Sequence, residues 1–89
     1  MEIKNQKPVI IDVRSPAEFK NGHVDGSINI PLQDIPLQLE TIKTMDQPIL
    51  LCCASGNRSG QAAAYLKKHG VACENGGSWM EVNQLIHQE

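Results

Sequence analysis

The chain has 89 residues, enough for one compact domain, and 40% are apolar although only Phe19, Tyr65 and Trp79 are aromatic. Its core must therefore rest on Ile, Leu, Val and Ala. A formal net charge of −2 with no basic cluster argues against a nucleic-acid footprint, and no apolar run approaches membrane-spanning length.

Met1–Lys7 contains no apolar stretch of the kind a secretory signal requires. Val9-Ile10-Ile11-Asp12-Val13 predicts a first strand, apolar until Asp12 near its end. Ser15-Pro16-Ala17-Glu18 then combines an N-cap, a proline at the first helical position and a glutamate at the third, a capping box on a short helix. Gly22 stops that helix and Gly26 marks a second turn. Ser27-Ile28-Asn29-Ile30 is a brief strand ended by Pro31. Leu32, Ile35, Leu37, Leu39 and Ile42 suggest one helical region over roughly residues 33–45, with Pro36 near its first turn. Beyond the central stretch, Val71–Glu74 reads as a last strand, Asn75-Gly76-Gly77 as a turn, and Trp79, Val82, Leu85 and Ile86 as a terminal amphipathic helix.

The central stretch runs from Ile49 to Ala64. Ile49-Leu50-Leu51-Cys52, after Pro48, is a continuous apolar run and predicts a buried strand. From Ser59 a helix is expected as far as His69, with Gly70 as its stop signal. The polar loop between them puts Cys53 at a helix N-terminus. Unpaired N–H groups and the positive end of the helix dipole lower a thiol's pKa there. Gly56 lets the backbone fold tightly around the sulfur, and Arg58 offers a planar fork for an oxyanion. This loop is suited to carry a thiolate and to receive an anion.

Strands alternating with helices imply a parallel sheet with right-handed crossovers and ligands beyond the strands' carboxyl ends. Asp12, Arg14 and Cys53 all fall at such ends. Asp12 is acidic beside an anion site, so it is expected to orient loop amides or to pair with Arg14 or Arg58. Ser59 can cap the helix or bond the anion. His23 is expected to be a structural hydrogen-bonder, and Cys52 and Cys73 buried small hydrophobes. The three cysteines and the scattered His23, His69 and His87 match neither a disulfide framework nor a zinc site, so no cofactor is expected. A working thiol must stay reduced, which makes the cytoplasm the expected compartment.

Three segments, in order, resemble the motifs of rhodanese-type sulfurtransferases. Ile11–Phe19 followed by Gly22–Pro31 is similar to that family's first signature. The stretch Cys53-Ala54-Ser55-Gly56-Asn57-Arg58-Ser59 resembles its active-site loop, and Gly76-Gly77 with Trp79 its final turn and helix. The resemblance spans Val9 to about Leu85. It implies a single rhodanese-like domain over residues 1–89, a small doubly wound α/β fold with a parallel sheet of four or five strands and helices on both faces. It implies a thiosulfate sulfurtransferase in which Cys53 is the nucleophile, residues 54–59 bind substrate, and Asp12 and Arg14 support the site. Its partners would be a small anionic sulfur donor and a thiol or cyanide acceptor, with a protein acceptor left open.

Two alternatives stand beside it. Cysteine-dependent phosphatases, some of the same fold, also close a thiolate loop with an arginine, but over a longer loop than Ala54-Ser55-Gly56-Asn57. Non-catalytic partner-binding modules would be expected to lose the cysteine that is kept here.

Overall fold

The computed structural model describes residues 8–87. Met1–Lys7, where no secretory signal is expected, lies outside them. Strands β1 (Val9–Asp12), β2 (Ile28–Asn29), β3 (Ile49–Cys53) and β4 (Cys73–Ser78) form one sheet in the order β2-β1-β3-β4. Every pairing is parallel. The helices are α1 (Pro16–Lys20), α2 (Leu39–Lys43), α3 (Asn57–Lys68) and α4 (Trp79–Ile86). This is a small doubly wound α/β fold whose parallel sheet has four strands, the lower of the two expected numbers.

Side chains alternate between the two faces of a strand, and the core divides accordingly. Ile11, Ile49, Leu51 and Cys53 face a larger cluster that includes Ile35, Ile42, Ala62 and Leu66, under α2 and α3. Ile10 and Cys52 face a smaller cluster with Val24 and Val82, flanked by Leu50, Trp79 and Ile86. Helices therefore cover both faces of the sheet. Asp12 pairs with Cys52 across β1 and β3, which brings both strand ends to one rim.

The first capping box forms as expected. Ser15 Oγ accepts from Glu18 N–H, and Glu18 Oε1 accepts from Ser15 N–H. A second one, absent from the sequence expectations, opens α4 through Ser78 and Glu81. Two expected elements differ. The helix expected over residues 33–45 divides into a 3-10 turn at Leu32–Asp34 and the short α2. Pro36 has no N–H to continue the ladder, and its ring would meet the carbonyl of residue 32 in an unbroken helix. Ile35 and Ile42 nonetheless both reach the core, while Leu37 stays exposed.

The last strand begins two residues later than expected and runs through Asn75-Gly76-Gly77, which is strand rather than turn. Glycine allows β4 to lie close against its neighbours. A Cβ on Gly76 would stand 2.7 Å from Val82 Cγ2 and 3.0 Å from the Leu51 carbonyl oxygen. Gly76→Ala is therefore expected to cost about 2 kcal/mol of stability through overpacking. Val82→Ala, which empties a fully buried position, is expected to cost a similar amount, about 2 kcal/mol. The double variant should lose less than the sum, because the smaller side chain relieves the clash. Denaturant unfolding of the three variants checks this, and strict additivity would contradict it.

Candidate functional site

β3 delivers Cys53 to the carboxyl end of the sheet, and the chain turns at once into α3. Gly56 is the N-cap of α3, at φ +98°, a left-handed conformation that side chains resist. The turn aims donors at the sulfur. Cys53 Sγ accepts from Gly56 N–H at 3.0 Å, from Ser59 N–H at 3.4 Å and from Ser59 Oγ–H at 3.3 Å. Burial pushes the thiol's pKa up. The Ser59 hydroxyl and amide, with the amides of Ser55 and Gly56, more than offset this and lower it to about 7.

The neighbouring thiols behave in the opposite way. Cys52, on the other face of the same strand, is pushed up to about 12, first by burial and then by the charge of Asp12. Burial also raises Cys73, whose thiol donates to the Ala63 carbonyl at 3.5 Å.

Ser59 is itself positioned from β4. Its hydroxyl lies 2.6 Å from Asn75 Oδ1, and Asn75 Nδ2 donates to the Gly56 carbonyl at 3.0 Å. A hydroxyl carries one proton, so Asn75 and Cys53 Sγ share it in alternation. Asn75 is absent from the candidate residues expected from the sequence. Its role depends on β4 extending past Glu74, which no local signal announces.

The arginines are both engaged. Arg14 Nε donates to Asp12 Oδ1 at 2.9 Å and Arg14 NH2 to Asp12 Oδ2 at 2.7 Å, in a buried pair. Arg14 NH2 also donates to the Gly22 carbonyl at 2.7 Å, and the guanidinium lies over the Trp79 ring at 5.0 Å. Of the partners open to Asp12, the one taken is Arg14. Arg58 turns its fork to Glu18, with NH1 2.8 Å from Oε1 and NH2 3.0 Å from Oε2. Glu18 is the second residue missed by the sequence expectations, where it figures only as a helix cap. The two positions are 40 residues apart in the chain.

Cys53, Gly56 and Ser59 thus converge on one point, with Arg58 beside them. Ala54, Ser55 and Asn57 are exposed around it. Asp12 and Arg14 form an internal strut at the same rim. His23 Nδ1 lies 2.7 Å from the Phe19 carbonyl and its ring stacks on Phe19, a structural position. Among the described residues no group of three His, Cys, Asp or Glu side chains could hold a metal ion, and no helix is long and apolar enough to cross a membrane.

The uncharacterized protein YqhL of Bacillus subtilis is 45% identical over 65 residues, covering 73% of this chain and 51% of that protein. The thiosulfate sulfurtransferase GlpE of Stutzerimonas stutzeri is 35% identical over 70 residues, covering 79% of this chain and 63% of that one. The chain therefore spans about half to two thirds of the length of these curated relatives. Among solved structures, rhodanese with anions from E. coli superposes with a TM-score of 0.76 at 32% identity, over 84% of this chain and 91% of that one. The Rhodanese-like domain family matches residues 1–85, and to that family this chain belongs.

Proposed function

We propose that the chain is a sulfurtransferase that carries sulfane sulfur as a persulfide on Cys53. Residues 1–89 would act as one rhodanese-like domain. The observation that carries this reading is the donor cradle on Cys53 Sγ, which lowers the thiol to about 7 and leaves about half of it as thiolate at neutral pH. The thiolate attacks the outer sulfur of thiosulfate or of a persulfide. A bond forms between Sγ and that sulfur, the bond to the rest of the donor breaks, and its electron pair leaves on sulfite or on a thiolate. No general base is required, because a large fraction of the nucleophile is already thiolate at neutral pH.

The same N–H and O–H donors stabilise the charge that develops around the new persulfide. A thiol or cyanide acceptor then takes the outer sulfur and regenerates the Cys53 thiolate, giving ping-pong kinetics. Ala54, Ser55 and Asn57 would form the mouth through which donor and acceptor pass, with a protein acceptor among the candidates. Three free cysteines fit a reducing compartment such as the cytoplasm. A phosphatase would need the Arg58 fork for phosphate, and that fork is occupied by Glu18. The relative named thiosulfate sulfurtransferase supports the transfer reading.

Two outcomes test it. Incubating the reduced protein with thiosulfate or a small persulfide should add one sulfur atom to the intact mass, removable by cyanide and absent in Cys53→Ser. A Cys53→Ser protein that still gains that sulfur would refute Cys53 as carrier.

The rate of Cys53 alkylation by iodoacetamide should rise with pH through a midpoint near pH 7, because the lowered pKa brings the thiolate into that range. Ser59→Ala removes the hydroxyl donor and should move the midpoint upward by about one pH unit. At pH 7 that slows alkylation about fivefold. An unmoved midpoint would mean that the backbone amides alone hold the sulfur.

A further inference from the structure

Both guanidinium groups at this rim already carry a matching carboxylate. Arg14 is buried against Asp12. Arg58 meets Glu18 fork to carboxylate, one N–H from each terminal nitrogen to each oxygen, the strong form of such a pair. Glu18 is fixed from its other side as well, because Oε1 accepts the Ser15 N–H at 2.9 Å. Hydrogen bonds from Arg58, then from Ser15, hold Glu18 at a pKa of about 2, so it stays charged throughout the working range. Arg58 directly precedes Ser59, which bonds Cys53 Sγ. Its pKa is raised chiefly by the Glu18 hydrogen bonds and, less, by the charge of Cys53.

The remaining described cations are poorly placed to help. Lys67 and Lys68 occupy the last turn of α3, the end away from Cys53. Lys43 lies 3.8 Å from Glu40. Lys20 stands two positions beyond Glu18 on α1, a spacing that puts side chains on different faces.

We infer that Glu18 is the specificity-determining residue for the sulfur donor: by matching Arg58 it disfavours a dianionic donor such as thiosulfate and favours the persulfide of a thiol. This rests on the sulfurtransferase reading above. With thiosulfate, the Cys53 thiolate meets a dianion, and the products are a persulfide anion and sulfite dianion. All three negative charges are crowded at one site, which calls for an unmatched cation. With a persulfide, Cys53–S⁻ and R–S–SH give Cys53–S–SH and R–S⁻. One S–S bond forms, one breaks, the proton stays on the transferred sulfur, and a single negative charge passes through. The N–H and O–H donors around Sγ suffice for that reaction.

The test is Glu18→Gln, which keeps an oxygen for the Ser15 N–H, since glutamine also serves in capping boxes, but removes the charge. The ratio of kcat/KM for thiosulfate to kcat/KM for 2-hydroxyethyl persulfide should rise about fivefold to tenfold, mainly through the thiosulfate KM. A second readout needs no turnover. The rate of Cys53 alkylation by anionic iodoacetate, relative to neutral iodoacetamide, should rise in the same variant. Adding Arg58→Gln should abolish both gains. Unchanged ratios in Glu18→Gln, or gains that survive loss of Arg58, would overturn the inference. If neither donor loads Cys53 in the unaltered protein, the sulfurtransferase reading fails on its own account. The alkylation ratio then still decides whether Glu18 bars anions from the thiolate.

Discussion

A sulfur atom that carries charge out of contact with water must find in the protein the hydrogen bonds that water would have supplied. Cys53 is fully buried, and the turn between β3 and α3 meets that condition with two amides and one hydroxyl. The turn exists because Gly56 takes a left-handed conformation and, lacking a Cβ, lets β4 pack close against it. A Cβ on Gly56 would stand 3.3 Å from Gly77 Cα. Asn75, also on β4, then locks the assembly by holding both the Gly56 carbonyl and the Ser59 hydroxyl. An edge strand that looks poor in sequence, with two glycines and an asparagine, is therefore the back wall of the thiolate site.

The two carboxylate–guanidinium pairs divide the work at the same rim. Removing Asp12 and Arg14 from water is costly, and the fold offsets this with a dense set of partners. Asp12 also accepts the Arg14 N–H, the Asn29 amide bonds the carbonyls of both residues, and no buried side-chain N or O among the described residues lacks a partner. Because Arg14 reaches the Gly22 carbonyl and lies against Trp79, this buried pair fixes the segment carrying α1 and anchors it to the start of α4. The half-exposed Glu18–Arg58 pair depends on that anchoring, since Glu18 rides on α1 and Arg58 on α3. The buried pair sets the frame, and the half-exposed pair ties α1 to the first turn of α3 beside Cys53.

What could be read from the chain beforehand follows from how local each contact is. β1, β3, α3 and the first capping box were legible because their apolar runs, caps and breakers lie within a few residues of one another. Cys53, Gly56 and Ser59 lie close together in the chain, at the end of β3, the N-cap and the first turn of α3, so their meeting is legible too. The break within residues 33–45 is not legible, because the apolar spacing continues across Pro36 while the backbone ladder cannot. The extent of β4 is not legible, because Asn-Gly-Gly by itself signals a turn, and only the pairing with β3 outweighs that preference. Glu18 and Asn75 are silent in the sequence for a related reason. Each meets the site across 40 and 16 positions of chain respectively, distances over which spacing carries no signal.

The adjacent cysteines show how finely the site depends on register. They share one residue type, one strand and complete burial, yet one thiol lies near 7 and the other near 12. Strand alternation accounts for it. Cys53 points to the α3 face, where the helix supplies donors, and Cys52 points to the other cluster, where apolar side chains and the Asp12 charge both oppose ionisation. Slipping β3 by one residue would exchange these environments. The pairing of β1 with β3, from Val9 opposite Ile49 to Asp12 opposite Cys52, resists such a slip by keeping Ile11, Ile49 and Leu51 on the larger core. On the other side, the irregularity between Leu51 and Cys53 in the pairing with β4 lets the strand end turn toward α3 without disturbing that register. The hydrophobic core thus decides which of two neighbouring sulfurs can become an anion.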